Sequence, residues 1–175
     1  MIAFRHADPR FPFLWEDSTQ PEGRWNTAGV LTQYFCDTPN GAWAEFLRHE
    51  EIDDPEDLVT VRRALWAVDI GEGPFPEPEL PLETMAGGLE TWADCRRAAT
   101  ELRKDYPALS APSAALRPGK ACGWRVHGGL VPGPERDGRT IALFGRQPNL
   151  TGWVATIEGR PDEDLLAQVR HYGTD

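Results

Sequence analysis

The chain has 175 residues and a hydrophobic fraction of 40%, which is enough for one domain over residues 1–175 with a buried core and excludes a disordered chain. Its 28 acidic and 18 basic side chains give a formal net charge of -10, which argues against nonspecific binding to nucleic acids or anionic membranes. No apolar run approaches the ~20 residues of a membrane helix. The N-terminus also lacks the apolar run of a signal peptide, so we expect a cytoplasmic protein.

The cysteines and histidines do not form a recognisable metal or disulfide pattern. Cys36, Cys95 and Cys122 are widely spaced and include no CxxC pair, which argues against a disulfide framework or a zinc site. We expect three reduced structural thiols, as is usual in a cytoplasm. The four histidines are scattered, with no HExxH pairing, so no metal is predicted.

The first predicted helix begins at Thr38 and Pro39, where threonine suits the N-cap and proline suits the first turn. Three apolar residues have the spacing of a buried stripe: Trp43, Phe46 and Leu47. Glu45 lies on the other side of this helix, beside Gly41 and Ala44. Because these neighbours are small, a strand or a ligand can approach that side closely.

Proline and glycine divide the rest of the chain into short elements. Asp54-Pro55-Glu56 predicts a helical turn before a strand near Ala64–Ile70, and Gly71–Pro81 reads as an extended, proline-rich loop. Four more elements follow in order: a helix over Glu90–Lys104, strands over Thr140–Phe144 and Trp153–Ile157, and a last helix that starts at Pro161. This pattern predicts an α+β fold, a single domain with a small mixed β-sheet core flanked by helices.

Four short motifs say more than the composition does: Phe4-Arg5-His6, Gly23-Arg24-Trp25-Asn26, Tyr34 followed by Ala44-Glu45, and Ala111-Pro112-Ser113-Ala114. Together they resemble the RES domain, a family named for an arginine, a glutamate and a serine. Its characteristic residues occur here in the family's order: Arg5, Arg24, Tyr34 and Glu45. The family serine sits in a Pro-Ser-Ala strand, which Ser113 matches.

The resemblance implies a fold similar to ADP-ribosyltransferases and an enzyme that consumes NAD, by hydrolysis or phosphorolysis. NAD would then be the substrate, and no resident cofactor is expected. Many RES proteins are toxins paired with an Xre-type antitoxin protein, so the resemblance also implies such a partner. One departure concerns the stretch after Pro-Ser-Ala, which in many members is rich in asparagine. Here it contains Cys122-Gly123-Trp124 and a glycine-rich segment from Val126 to Gly133, so the C-terminal wall of the pocket stays unassigned.

The resemblance assigns roles that suit the chemistry of these side chains. Cleavage of the nicotinamide–ribose bond builds positive charge on the ribose, which a carboxylate at Glu45 would stabilise. A pyrophosphate suits the planar guanidinium groups of Arg5 and Arg24. Tyr34 could stack on the nicotinamide ring, and Ser113 could hydrogen-bond the ribose or the carboxamide.

His6 follows Arg5 where relatives often have an aromatic residue, and we expect it to line the pocket. The predicted catalytic residues are therefore Glu45, Arg24, Tyr34 and Ser113. The predicted binding residues are Arg5, His6, Arg24, Tyr34 and Ser113. Taken singly, each of these side chains also fits an ordinary structural role, and the functional interpretation depends on their shared order and spacing.

Two other functions remain open at this point. The chain could be a non-catalytic module of RES fold that binds a nucleotide or a protein, or it could transfer ADP-ribose to a macromolecule. The sequence does not decide whether water, phosphate or a protein accepts the ADP-ribose.

Overall fold

The computed structural model describes residues 1–14, 16, 19–121, 123–126 and 130–173. The strands in this part of the chain are β1 (Ile2–Ala7), β2 (Thr32–Cys36), β3 (Arg63–Asp69), β4 (Ala108–Pro112), β5 (Trp124–Val126), β6 (Leu130–Pro132), β7 (Arg139–Phe144) and β8 (Thr151–Gly159). The α-helices are α1 (Pro39–His49), α2 (Pro55–Leu58), α3 (Leu82–Ala86) and α4 (Trp92–Leu102). Two short 3-10 helices cover Leu89–Thr91 and Glu163–Gln168. None of the described helices is long and apolar enough to cross a membrane.

The main sheet has six strands in the spatial order β4-β7-β2-β1-β3-β8, and β5 pairs with β6 separately. This architecture confirms the predicted α+β class. Every pairing between the described strands is antiparallel, whereas the sequence pattern suggested mixed directions. The difference arises because β1 lies between β2 and β3. The crossover through α1 therefore connects two strands that run in the same direction without pairing them.

Most of the predicted elements are confirmed. Thr38 caps α1 by accepting the N–H of Gly41 at 3.0 Å, and Asp54 caps α2 in the same way. The predicted stripe of α1 is buried, with 7%, 6% and 0% of the surface exposed at Trp43, Phe46 and Leu47. Gly41 packs against β2: a Cβ atom added there would lie 3.1 Å from the Cβ of Cys36, so the small residue does permit close approach of a strand.

Two local predictions need correction. The last helix is a short 3-10 helix over Glu163–Gln168, because the chain becomes extended at Val169 to pair with Leu116. Only a short, tight helix fits before that pairing. Ser113 lies after the end of β4 and not within a strand. Its hydroxyl accepts the N–H of Leu116 at 3.0 Å, which turns the chain away from the sheet.

Three apolar clusters hold the layers together. Two of them cover the helix face of the sheet, one under α1 and the other under α3 and α4. The third covers the opposite face and is built around Phe35, Val68 and Ile141. Cys36 and Cys95 are buried free thiols in the first two clusters, as expected, whereas Cys122 lies outside the described residues.

The two central strands separate soon after they meet. Over their described length β1 and β2 share one register pair, Phe4 opposite Cys36, whereas β1 pairs with β3 from Ile2 to Ala7. Beyond Phe4 the sheet therefore opens on the side of β2. Residues on both sides of this opening, among them Phe4 and His6 of β1 and Tyr34 and Cys36 of β2, line one cavity.

Replacement of Leu47 by alanine should lower the free energy of unfolding by about 2–5 kcal/mol, because it leaves a cavity under α1. Leu89→Ala is the matched control, since 61% of that leucine is exposed. Chemical denaturation of both variants measures the difference. Equal losses in the two proteins would contradict the assignment of α1 to the core.

Candidate active site

The Gly23-Arg24-Trp25-Asn26 motif forms a narrow turn that is closed by a hydrogen bond from the N–H of Gly23 to the carbonyl of Asn26 at 3.0 Å. The Tyr34 hydroxyl, from β2, holds this turn at two points. It accepts the N–H of Trp25 at 2.9 Å and donates to Oδ1 of Asn26 at 2.7 Å. Trp25 is only 1% exposed, so the turn is anchored in the core while Arg24 is carried to the site.

The glycine that opens the motif is required by space. A Cβ atom at Gly23 would lie 2.8 Å from the Tyr34 hydroxyl and 2.8 Å from Oδ1 of Asn26. The carbonyl of Gly23 also accepts Nε of Arg96 at 2.8 Å, which ties the turn to α4. These contacts explain why the motif combines a glycine, an asparagine and a distant tyrosine.

A cavity of about 300 Å³ opens beside this turn. Five of the six predicted site residues line it: Arg5, His6, Arg24, Tyr34 and Glu45. The structure does not bring Ser113 to the wall, although its neighbours Pro112 and Ala114 are there. Ser113 is 3% exposed, and its hydroxyl accepts a backbone N–H in the turn after β4.

Glu45 carries the carboxylate of the site. It projects from α1 into the cavity, and its Oε1 accepts the hydroxyl of Thr140 at 3.1 Å. Among the described residues, no arginine or lysine forms an ion pair with it. The carboxylate is thus oriented by a neutral hydroxyl, and the nearby Arg48 attracts it without forming an ion pair.

Arg24 is buried and held by backbone and hydroxyl acceptors. Its Nη2 donates to the carbonyl of Gly87 at 2.7 Å, and its Nη1 lies 3.2 Å from the hydroxyl of Thr91. The guanidinium also lies over the ring of Trp92, 5.7 Å from its centroid. Arg24 therefore connects the turn to the start of α4 in addition to lining the cavity.

Arg5 lies where β1 and β2 separate. Its Nη1 donates to the Gln33 side chain at 2.6 Å, and the guanidinium lies 5.5 Å from the centroid of the Phe35 ring. Burial lowers the pKa of Arg5 to about 10, which leaves it charged at neutral pH. A second cavity of about 460 Å³ borders Arg5 as well. It shares five lining residues with the first: Arg5, His6, Gln20, Pro21 and Tyr34.

His6 lines the cavity as an uncharged ring. Burial, together with the charges of Arg63, Arg5 and His49, lowers its pKa to about 3. Its Nδ1 lies 3.2 Å from Nη2 of Arg63, and since a guanidinium can only donate, Nδ1 is the acceptor. At neutral pH His6 therefore lacks the proton that a cationic general acid would supply.

Sequence reasoning missed Arg48, Trp92, Thr140 and Tyr172 as residues of the wall. A signal for Arg48 was present, because residues three apart on a helix are neighbours and Arg48 follows Glu45 by one turn. The other three reach the cavity only through the tertiary fold. Within the described residues, no three His, Cys, Asp or Glu side chains come together as metal ligands.

The electrostatic balance of the wall is positive although the whole chain is acidic. Three guanidinium groups, those of Arg5, Arg24 and Arg48, face the cavity with the carboxylates of Glu45 and Glu22. Glu22 is paired with Arg96 at 2.9 Å, which leaves Glu45 as the opposing charge. Such a wall suits a ligand that carries negative charge.

Comparison with protein families agrees with this geometry. A model of the RES domain matches residues 2–165, which is nearly the whole chain. The chain belongs to the RES domain family. The match confirms the resemblance drawn from the motifs, and in this RES domain residues from all four motifs line the cavity beside Arg24. A comparison with curated proteins gave no match.

Tyr34→Phe should destabilise this RES domain by about 1–3 kcal/mol, because it leaves the N–H of Trp25 and Oδ1 of Asn26 without their buried partner. The matched control is Tyr106→Phe, since that tyrosine is 47% exposed. Thermal or chemical unfolding measures both. If the two variants were equally stable, the Tyr34 hydroxyl would not be the contact that holds the motif.

Proposed function

We propose that this protein is an enzyme that cleaves the nicotinamide–ribose bond of NAD. The observation that carries the proposal is the meeting of the Glu45 carboxylate, which forms no ion pair within the described residues, with three guanidinium groups in one cavity. NAD combines the two features that such a wall complements. It develops positive charge at the ribose during cleavage, and it carries an anionic pyrophosphate.

The chemistry assigned to Glu45 is electrostatic. The bond between C1′ of the ribose and N1 of nicotinamide breaks with its electron pair going to the ring nitrogen, so neutral nicotinamide leaves and an oxocarbenium ion forms. A carboxylate beside that ion stabilises it and can accept a hydrogen bond from a ribose hydroxyl. Water or phosphate then adds at C1′ and, in the case of water, loses a proton to give ADP-ribose.

The remaining residues bind and orient the substrate in this proposal. Arg5 and Arg24 supply positive charge for the pyrophosphate, and the Tyr34 ring offers a face for the nicotinamide. The hydroxyl of Tyr34 is already engaged with the turn, so its part is to fix the site and not to transfer a proton. For Ser113 we retain an indirect role, through the turn that places Pro112 and Ala114 in the wall.

A role as a toxin with an Xre-type antitoxin is a further part of the proposal. It rests on family membership and on the open, positively charged cavity. A partner could block that cavity with a carboxylate or cover its mouth. We place the reaction in the cytoplasm, with NAD as substrate, no resident cofactor and no direct contact with nucleic acid.

Glu45→Gln should slow NAD loss ~10²–10³-fold, the usual cost of removing one preorganised electrostatic group. Glutamine keeps the shape and the contact with Thr140 but removes the charge. Glu50→Gln, at the exposed end of the same helix, is the matched control. Chromatography of the products from purified protein and NAD measures both variants, and wild-type turnover in Glu45→Gln would refute the assigned role.

If the protein is a toxin, its expression should lower cellular NAD before growth stops. A time course of NAD and optical density after induction, run beside the Glu45→Gln strain, measures this. The variant should spare both NAD and growth. Growth arrest in both strains at a constant NAD level would favour the alternative, a non-catalytic RES module that binds a nucleotide or a protein.

The acceptor is decided by the products of the same reaction. Free ADP-ribose indicates water, and a phosphorylated ADP-ribose that requires added phosphate indicates phosphorolysis. Label from NAD that appears on protein would indicate ADP-ribosyl transfer to a macromolecule.

A further inference from the structure

The C-terminal segment after residue 165 lies beyond the match to the RES domain, yet it reaches the cavity. Val169 is buried and pairs with Leu116, and the N–H of Arg170 donates to the carbonyl of Ala115 at 2.7 Å. These contacts hold the segment against the turn that follows β4. Two residues later, the half-buried Tyr172 forms part of the cavity wall.

Tyr172 covers an arginine that has unused donors. The guanidinium carbon of Arg48 lies 4.6 Å from the centroid of the Tyr172 ring, and Arg48 is only 4% exposed. Its Nη2 donates to the carbonyl of Gly87 at 2.9 Å. In the described structure its Nε and Nη1 groups are buried without a hydrogen-bond partner. Buried N–H groups of this kind are rare in proteins and costly unless a ligand or water satisfies them.

The position of Arg48 adds a second unusual feature. Arg24 and Arg48 both donate to the carbonyl of Gly87, so their two positive groups are close neighbours. Among the described residues neither has a carboxylate as an ion-pair partner. Arg48 feels the attraction of the Glu45 carboxylate as well as the repulsion of Arg24. An anion that enters the cavity adds a second attraction and offsets that repulsion.

Arg48 and Glu45 also share one side of α1. Residues three apart on a helix are neighbours, and both of these side chains line the cavity. A ligand that places a developing cation beside Glu45 therefore has its next groups beside Arg48. In NAD the nicotinamide ribose is followed by the pyrophosphate, whose charge is opposite to that of the guanidinium.

We propose that Arg48 contacts the pyrophosphate of the substrate through its unpaired N–H groups, and that Tyr172 is the positioning residue that holds this guanidinium. The inference rests on the proposed function, because it takes the substrate to carry a pyrophosphate. Arg24 differs from Arg48 in this respect, since its N–H groups donate to Gly87, Thr84 and Thr91. The C-terminal segment is then part of the substrate site of this particular RES protein.

The first test is calorimetric binding of ADP-ribose, which carries the pyrophosphate, and of adenosine, which does not. Arg48→Gln should weaken ADP-ribose binding about 10- to 100-fold, the range for one charge-assisted hydrogen bond, and leave adenosine unchanged. Arg97→Gln, at an exposed position on α4, is the matched control and should bind both like wild type. Unchanged ADP-ribose affinity in a folded Arg48→Gln protein would overturn the assignment.

The second test uses Tyr172, which is half-buried and lies outside the three apolar clusters, so it can be changed even if Arg48→Gln does not fold. Tyr172→Phe keeps the aromatic face and removes only the hydroxyl, which also interacts with Arg48, so it should retain most of the ADP-ribose affinity. Tyr172→Leu should weaken it about 3- to 10-fold, as expected for loss of a partly buried cation–π contact. A fall in affinity that phenylalanine does not rescue, or no fall with leucine, would remove Tyr172 from this role.

These outcomes separate the inference from the proposed function. If wild type binds ADP-ribose through Arg48 but leaves NAD intact, the role of Arg48 in pyrophosphate binding is supported and the proposed NAD cleavage is refuted. If wild type consumes NAD while Arg48→Gln keeps its full affinity for ADP-ribose and its KM for NAD, the proposed NAD cleavage is supported and the role of Arg48 is refuted. If wild type neither binds ADP-ribose nor consumes NAD, both are overturned.

Discussion

The Tyr34 hydroxyl accepts the N–H of Trp25 and donates to the side chain of Asn26, and it thereby fixes the turn that holds Arg24 beside the cavity. A Cβ atom at position 23 would lie 2.8 Å from this hydroxyl and from Oδ1 of Asn26, so any residue other than glycine would displace the groups that hold the turn. Burial raises the pKa of Tyr34 well above its usual value, so the hydroxyl keeps its proton and can go on donating to Asn26. The separation of β1 from β2 then supplies the open space that this turn borders.

The other constraint is electrostatic. The chain has a net charge of -10, yet the cavity gathers three guanidinium groups around the Glu45 carboxylate, which forms no ion pair among the described residues. Two of these guanidinium groups share a single backbone carbonyl. An arrangement of this kind costs stability in the empty protein. Proteins tolerate such costs mainly at functional sites, where the ligand supplies the missing charge.

Local patterns predicted the parts of the fold that depend on neighbouring residues. The cap at Thr38 and the buried face of α1 follow from contacts within a few positions, and so does the strand that ends at Asp69. The strand directions could not be predicted in this way, because they depend on β1 lying between β2 and β3. The 3-10 form of Glu163–Gln168 likewise depends on the pairing of Val169 with Leu116, which lies more than fifty positions earlier.

The same division applies to the candidate site. Arg24, Tyr34 and Glu45 were found because family motifs record their order, although the motifs did not reveal that the tyrosine acts on the turn through its hydroxyl. No family motif includes Tyr172, since this residue lies beyond the matched domain.

The geometry around α1 also bears on how rigid the site is. Glu45 and Arg48 project from a helix whose apolar stripe is buried and whose first turn is capped, so neither side chain depends on a mobile loop for its position. Arg48 is confined further by the Gly87 carbonyl on one side and the Tyr172 ring on another. A carboxylate and a guanidinium that are held one helical turn apart can act on a ligand without reorganising first, which is the condition under which electrostatic stabilisation is most effective. Tyr172, by contrast, comes from the segment that follows the match to the RES domain. Under the proposed function, changes at Tyr172 therefore alter substrate affinity while the Glu45 carboxylate stays where α1 places it.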